Sequence, residues 1–152
     1  MKYTSFLMLF GLLSLQAIAQ GAPQTSYVNE QGAPFSGLYH MSNDANVLVY
    51  SANVENGILN GVITYFDADG RIDQVGHYSK GLKEGKWEQY NDQGRLIGEA
   101  FYAAGQKHGI WSVWDDNGNK RYHMVYDQGN KVDVWKVYDE NQILVSEKIY
   151  KK

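Results

Sequence analysis

The side chains whose types and spacing could do chemistry are the carboxylates of Asp67, Asp69 and Asp73, the four histidines, and a set of recurring aromatic residues. Asp67-Ala68-Asp69-Gly70-Arg71-Ile72-Asp73 opens like a calcium loop. Such a loop needs a third oxygen ligand where Arg71 stands and a glutamate at its twelfth position, where Tyr78 stands. Turn chemistry accounts for these aspartates better. His77 and His123 fall on strands about 19 Å apart if the chain is one sheet, too far to share a zinc ion. His40 and His108 complete no ligand spacing with them. There is no cysteine and no Gly-x-Ser-x-Gly nucleophile elbow. Serine never recurs at one place, and the glycines are spaced for turns rather than for a phosphate loop. The expectation is a protein with no catalytic residue, no metal site and no cofactor. The tryptophans and tyrosines remain, able either to stack sugar rings or to form a core.

What positions them is a long-period repeat. Gly57, Gly81, Gly105 and Gly129 are 24 apart, as are Gly61, Gly85 and Gly109, with Asp133 in the fourth place. Ile63 is followed at the same step by Trp87, Trp111 and Trp135, and the units close on Tyr78, Tyr102, Tyr126 and Tyr150. A period of this size means stacked supersecondary units, each needing a neighbour to cover its apolar surface. The recurring positions read as turn glycines and aromatics, not acids, bases or nucleophiles.

Each unit reads as a β-hairpin. In residues 81–104 an extended Lys-Trp-Glu-Gln-Tyr stretch leads to Asn91-Asp92-Gln93-Gly94, and a second extended stretch follows. Asn or Asp opening a turn with Gly three places on is the mark of a type I turn followed by a left-handed glycine. Gly70 and Gly118 hold the same place in their units. Gln142 stands there in the last unit and is expected to tolerate change because that hairpin is terminal. No window shows helical periodicity, and 12 Tyr, 4 Trp and 5 Phe suit strands. The fold class predicted is all-β: an elongated, twisted antiparallel sheet of tandem hairpins. Four units cover 57–80, 81–104, 105–128 and 129–152. A degenerate one covers 33–56, with Gly37 and Tyr39 in register with Gly61 and Ile63, and residues 20–32 form a linker or N-terminal cap.

Gly81-Leu-Lys-Glu-Gly85-Lys-Trp87-Glu-Gln-Tyr90, followed by Gly94 and Tyr102, resembles the MORN-repeat family, in particular the variant of many bacterial proteins including YwqK-type antitoxins. Residues 105–126 resemble it with Trp114 in place of the first Tyr, and 57–78 with Ile63 for Trp and Phe66 for Tyr. The resemblance implies successive antiparallel hairpins and a scaffolding or binding role. The antitoxin label would imply a cytoplasmic protein opposing a toxin.

Alternation sets the faces. Trp87 and Tyr90 are three apart and so point to opposite faces of a regular strand, as do Trp111 and Trp114, and Trp135 and Tyr138. Trp87, Trp111 and Trp135 would then form a ladder at two-strand spacing, roughly 10 Å, with the intervening strands contributing side chains between them. Aromatics on both faces predict strong twist or curling. The ladder is a core if buried and a stacking surface for carbohydrate if exposed.

Residues 1–19 read as a secretory signal peptide: Lys2, an apolar run at 6–15, and the small-x-small site Ala17-Ile18-Ala19. The run is too short for a permanent membrane helix. The expectation is an exported protein, periplasmic or extracellular, with no stable membrane insertion after cleavage. Without cysteine it has neither disulfides nor a lipoprotein anchor. Fourteen basic against 17 acidic residues disfavour nucleic acid as partner, since that calls for clustered Lys and Arg. The partner expected is another protein, with carbohydrate the alternative.

Overall fold

The computed structural model describes residues 26–151; the predicted signal peptide, 1–19, lies outside the described residues. Eleven strands follow in order: β1 (Gly37–Ser42), β2 (Leu48–Glu55), β3 (Ile58–Phe66), β4 (Ile72–Ser79), β5 (Leu82–Tyr90), β6 (Leu96–Ala103), β7 (Gln106–Lys107), β8 (Gly109–Trp114), β9 (Lys120–Asp127), β10 (Asn130–Tyr138) and β11 (Leu144–Tyr150). They form one open antiparallel sheet in chain order, with the short β7 pairing only with β6. The expected all-β architecture of successive hairpins is therefore the observed one.

Two kinds of turn alternate along the meander. The first is set by a side chain. Asn91 Oδ1 accepts from the N–H of Gln93 at 3.0 Å and of Arg95 at 2.9 Å. Asn43, Asp67, Asp115 and Asp139, the residues at the same place in the other units, do the same. This is an Asx turn, which holds the chain in place from within four residues. The residue that ends it is left-handed in every unit: Asn46 (φ 60°), Gly70 (78°), Gly94 (71°), Gly118 (84°) and Gln142 (63°). A Cβ on Gly94 would meet nothing within 4 Å, so only backbone strain opposes a side chain there. Gly94→Val is expected to destabilise by roughly 1 to 3 kcal/mol in chemical denaturation. Gln142 bears the same strain. Gln142→Gly would relieve about 1 kcal/mol of that strain but lose the bond that the Gln142 amide donates to Asn119 Oδ1 at 2.7 Å, so little net change is expected.

The second turn links units. Asn56-Gly57, Lys80-Gly81, Ala104-Gly105 and Gln128-Gly129 all have positive φ at both residues. That is the two-residue type I′ loop, whose twist matches the flanking strands. The loop glycine also ties a unit to the one before it: Gly81 N–H donates to the Leu59 carbonyl, Gly105 to Lys83 and Gly129 to Lys107, at 2.8, 2.9 and 2.8 Å.

Gly61, Gly85 and Gly109 are not turn residues, contrary to the expectation from their spacing. They lie within or at the start of strands, at bulges. Between β4 and β5, Val75 pairs with Glu88 and His77 with Glu84, so Gly85, Lys86 and Trp87 together face Gly76. The bulged residue is left-handed in each copy: Gly61 (115°), Gly85 (65°), Gly109 (67°) and Asp133 (58°). A bulge re-aims the side chains beside it and increases local twist, and here it precedes Ile63 or a tryptophan every time.

The first unit, β1 and β2, carries residues 27–35 against its start. Tyr27 N–H donates to the Gly57 carbonyl at 2.9 Å. The Tyr27 ring meets Tyr39 edge-on at 4.9 Å, and its hydroxyl lies 3.2 Å from that of Tyr50. The described part of the predicted linker is thus seated on the first hairpin.

Candidate functional site

One face of the sheet carries a continuous aromatic ladder. Ring centroids of Tyr78, Trp87, Tyr102, Trp111, Tyr126, Trp135 and Tyr150 succeed one another at 5.4, 6.0, 5.2, 5.2, 5.1 and 5.1 Å. The tryptophans come from β5, β8 and β10, and the tyrosines from the strands between, so the interleaving expected from sequence is present. Tilted and edge-to-face contacts at these distances suit the ring quadrupoles. Trp87, Tyr102, Trp111 and Tyr126, with Ala52, Ile63 and Ala100, form the buried core, and Tyr78 and Trp135 pack against it partly buried.

Burial decides what the ladder is. Trp87 is 0 % exposed and Trp111 3 %, so neither presents an open indole face for a sugar. The Nε1–H groups of Trp111 and Trp135 donate to the carbonyls of Phe101 and Val125, both at 3.0 Å. Trp87 Nε1, at the corresponding place, has no hydrogen-bond partner.

Three lysines that sequence reasoning passed over complete this face. Lys83 Nζ lies 3.8 Å from the Trp87 ring centre, Lys107 Nζ 4.5 Å from that of Trp111, and Lys131 Nζ 4.5 Å from that of Trp135. They recur at the same step as the tryptophans, a periodicity visible in the sequence once sought. Burial pushes the Lys83 ammonium down to about 8 from an ordinary 10.5, and burial together with the charge of Lys131 lowers Lys107. The ring contacts favour the charged form and offset part of that cost.

A pH dependence follows. Below pH 8 the folded and unfolded chains both hold the Lys83 proton, and the cost of burying it is constant. Between about 8 and 10.5 the unfolded chain binds more protons, so stability climbs as pH rises. Burial pushes Tyr102 up to about 12 and also raises Tyr65, Tyr78 and Tyr126. Their stabilising contribution is lost above about pH 10, where the unfolded tyrosines ionise first. Denaturation midpoints should therefore rise from pH 7 to 9 and fall by pH 11, by at most on the order of 3 kcal/mol for Lys83. Lys83→Met should flatten the rise.

The other face is less covered. Pairing of Val62 with His77, Lys86 with Phe101, Ile110 with Val125 and Val134 with Ile149 lays one row across the sheet, continued by Leu38 opposite Asn53. Its strand-start members Leu38, Val62, Lys86, Ile110 and Val134 are again 24 apart. Leu38 is 55 % exposed, Val62 and Ile110 48 %, and Ile149 67 %. Lys86 interrupts the row and is paired with Glu88, Nζ to Oε1 2.6 Å. Nearer the Asx turns, Phe66, Tyr90, Trp114 and Tyr138 form a second, half-buried row, set by alternation on the face opposite the ladder.

The remaining candidates resolve into turn and strand chemistry. Asp67 is held by the Arg71 backbone N–H and guanidinium, which keep its carboxyl below the usual value, and Arg71 also bonds Asp69. Among the described residues no group of three or more His, Asp or Glu is placed to hold a metal. His108 Nδ1 sits 3.5 Å from Asp127 Oδ1. That pair borders an open cleft of about 470 Å³ with Tyr126, Asp133 and Tyr150, and no Ser, Thr or Lys lines it. Among the described residues no helix is long and apolar enough to cross a membrane.

Residues 83–104 and 107–128 match the family model of the MORN repeat variant. These segments span β5 and β6, and β7 to β9. No curated protein matches. Among solved structures, a chain of the crystal structure of the GtfA/B complex bound to UDP and GlcNAc is similar at 12 % identity, with a TM-score of 0.29. The similarity covers 90 % of this chain and only 28 % of that one, and at that score it carries nothing for fold or function.

Proposed function

We propose that this repeat protein, two of whose segments match the MORN repeat variant, is an exported, non-enzymatic protein-binding or scaffolding module. The observation that carries the reading is the exposed apolar row of Leu38, Val62, Ile110 and Ile149 on the face opposite the core. Exposed apolar side chains aligned on one face mark an interaction surface, here broken once by Lys86. The ladder aromatics and the recurrent glycines are already occupied with core, bulge and turn, and this row is among what the repeat leaves free. A partner lying along the long axis of the sheet would meet an apolar side chain of this row in every unit but the one that carries Lys86. The mildly acidic chain suits a protein better than nucleic acid.

The test is capture from an envelope extract by wild type and by Val62→Glu/Ile110→Glu. Both side chains are exposed, so the variant should fold and lose the partner; equal capture would overturn the reading. Export is tested separately by sequencing the N-terminus of the expressed protein. A start at or near Gln20, outside the cytoplasm, is expected, and an intact Met1 form in the cytosol would refute it. A second reading, carbohydrate binding, is favoured by the half-buried row of Phe66, Tyr90, Trp114 and Tyr138. It predicts glycan-dependent quenching of tryptophan fluorescence that Trp114→Ala abolishes.

A further inference from the structure

We propose that the row of Lys83, Lys107 and Lys131 is a second binding site, on the face opposite the apolar row, for an acidic peptide that crosses the strands with a carboxylate at each repeat. The three ammoniums come from equivalent positions on β5, β7 and β10, each held over a tryptophan. The rings beneath fix where each head sits, because the ammonium itself lies over the indole face. Lys107 also lies 5.0 Å from the Tyr126 ring and Lys83 5.0 Å from the Tyr102 ring. Among the described residues no carboxylate forms an ion pair with any of the three. Lysines are rarely buried without a partner, yet Lys83 and Lys107 are part-buried, in a chain carrying 17 acids against 14 bases. Beyond the effect of burial, the charge of Lys131 opposes that of Lys107. A ligand bearing negative charge at the same interval would relieve that.

The spacing selects the ligand. Successive lysines stand two strands apart, roughly 10 Å. A polyproline II chain returns to the same side every third residue, at about 9 Å. A fully extended strand presents same-side groups at roughly 7 or 14 Å and falls out of step. Nucleic acid and anionic membranes call for broader clusters of Lys and Arg than one row of three on an acidic protein. An acidic, proline-rich peptide fits both charge and interval.

The probe is a fluorescein-labelled peptide of about five Glu-Pro-Pro repeats, titrated with the full chain at low salt and read by anisotropy. Wild type should bind it, more weakly as salt rises, and should not bind the Gln-Pro-Pro counterpart. Lys→Met keeps an unbranched, flexible side chain beside the ring and removes the charge. Each single variant should weaken binding about threefold, and Lys83→Met/Lys107→Met/Lys131→Met at least tenfold, with circular dichroism spectra unchanged. No wild-type binding, or equal binding by the triple variant, overturns the proposal. So does binding to phosphatidylserine vesicles without binding to the peptide, since the row would then face a membrane. Capture of an envelope partner that Val62→Glu/Ile110→Glu loses and the triple variant keeps bears only on the apolar row, so the two readings fail independently.

Discussion

Trp111→Ala is expected to unfold most of the repeat array, whereas Trp135→Ala loosens mainly the hairpin of β10 and β11. Trp111 is 3 % exposed and touches Tyr102 and Tyr126, each at 5.2 Å, and its indole N–H is satisfied by the Phe101 carbonyl. Removing a tryptophan from such a site costs about 3 to 5 kcal/mol. That is a large fraction of the roughly 5 to 15 kcal/mol that holds a domain together. Its loss also breaks the ladder in the middle, leaving the units on either side without the neighbour that covers them. Trp135 is only part-buried and lies one strand from the open edge, where a terminal unit can fray without unfolding the rest. Chemical denaturation followed by far-ultraviolet circular dichroism separates the two. Equal, small losses would mean that the ladder is not the core.

Gly76→Val is expected to cost about 3 kcal/mol or more, although Gly76 sits in an ordinary strand conformation. An added Cβ would lie 2.2 Å from Trp87 Cδ2 and 2.3 Å from Cε2. Trp87 is fully buried and in contact with the rings of Tyr78 and Tyr102, so any shift of the indole must displace them or follow a path that they leave open. Overpacking of this kind costs roughly 1 to 3 kcal/mol for a small intrusion, and a β-branched side chain is not small. Gly76→Ala has an escape that valine lacks. One unit on, Ala100 stands at the same place, and there the indole of Trp111 donates to the Phe101 carbonyl. If Trp87 took that pose in the alanine variant, its unpartnered N–H would reach the equivalent carbonyl, that of His77, and recover part of the cost. Thermal melts should rank wild type, Gly76→Ala and Gly76→Val in falling order. A valine variant as stable as the alanine one would show that the close approach to Trp87 is not a constraint.

Gly76 is not a recurring position of the repeat, and the reason separates what a sequence can state from what it cannot. The turns were legible because their causes lie within four residues. Asn91 reaches the N–H groups of Gln93 and Arg95, and Gly94 supplies the left-handed backbone that closes the loop. Repeated in unit after unit, those local signals were enough for hairpins, an antiparallel sheet and the aromatic ladder. The same logic misplaced Gly61, Gly85 and Gly109, since a bulge glycine and a turn glycine ask for the same φ and differ only in what lies across the strand gap. That difference belongs to register, set by two strands together; a slip of one residue exchanges the faces. Tertiary structure therefore decided that Trp87 rests on Gly76 with its N–H unpartnered. It decided too that Lys83, Lys107 and Lys131 lie over the indoles. By the same register Leu38, Val62, Ile110 and Ile149 share the uncovered face. The contact of Gly76 with Trp87 joins residues on neighbouring strands, and the apolar row joins strands across the sheet. Each lysine stands only four residues before its tryptophan, but that the two share one face beside the bulge is a matter of strand geometry.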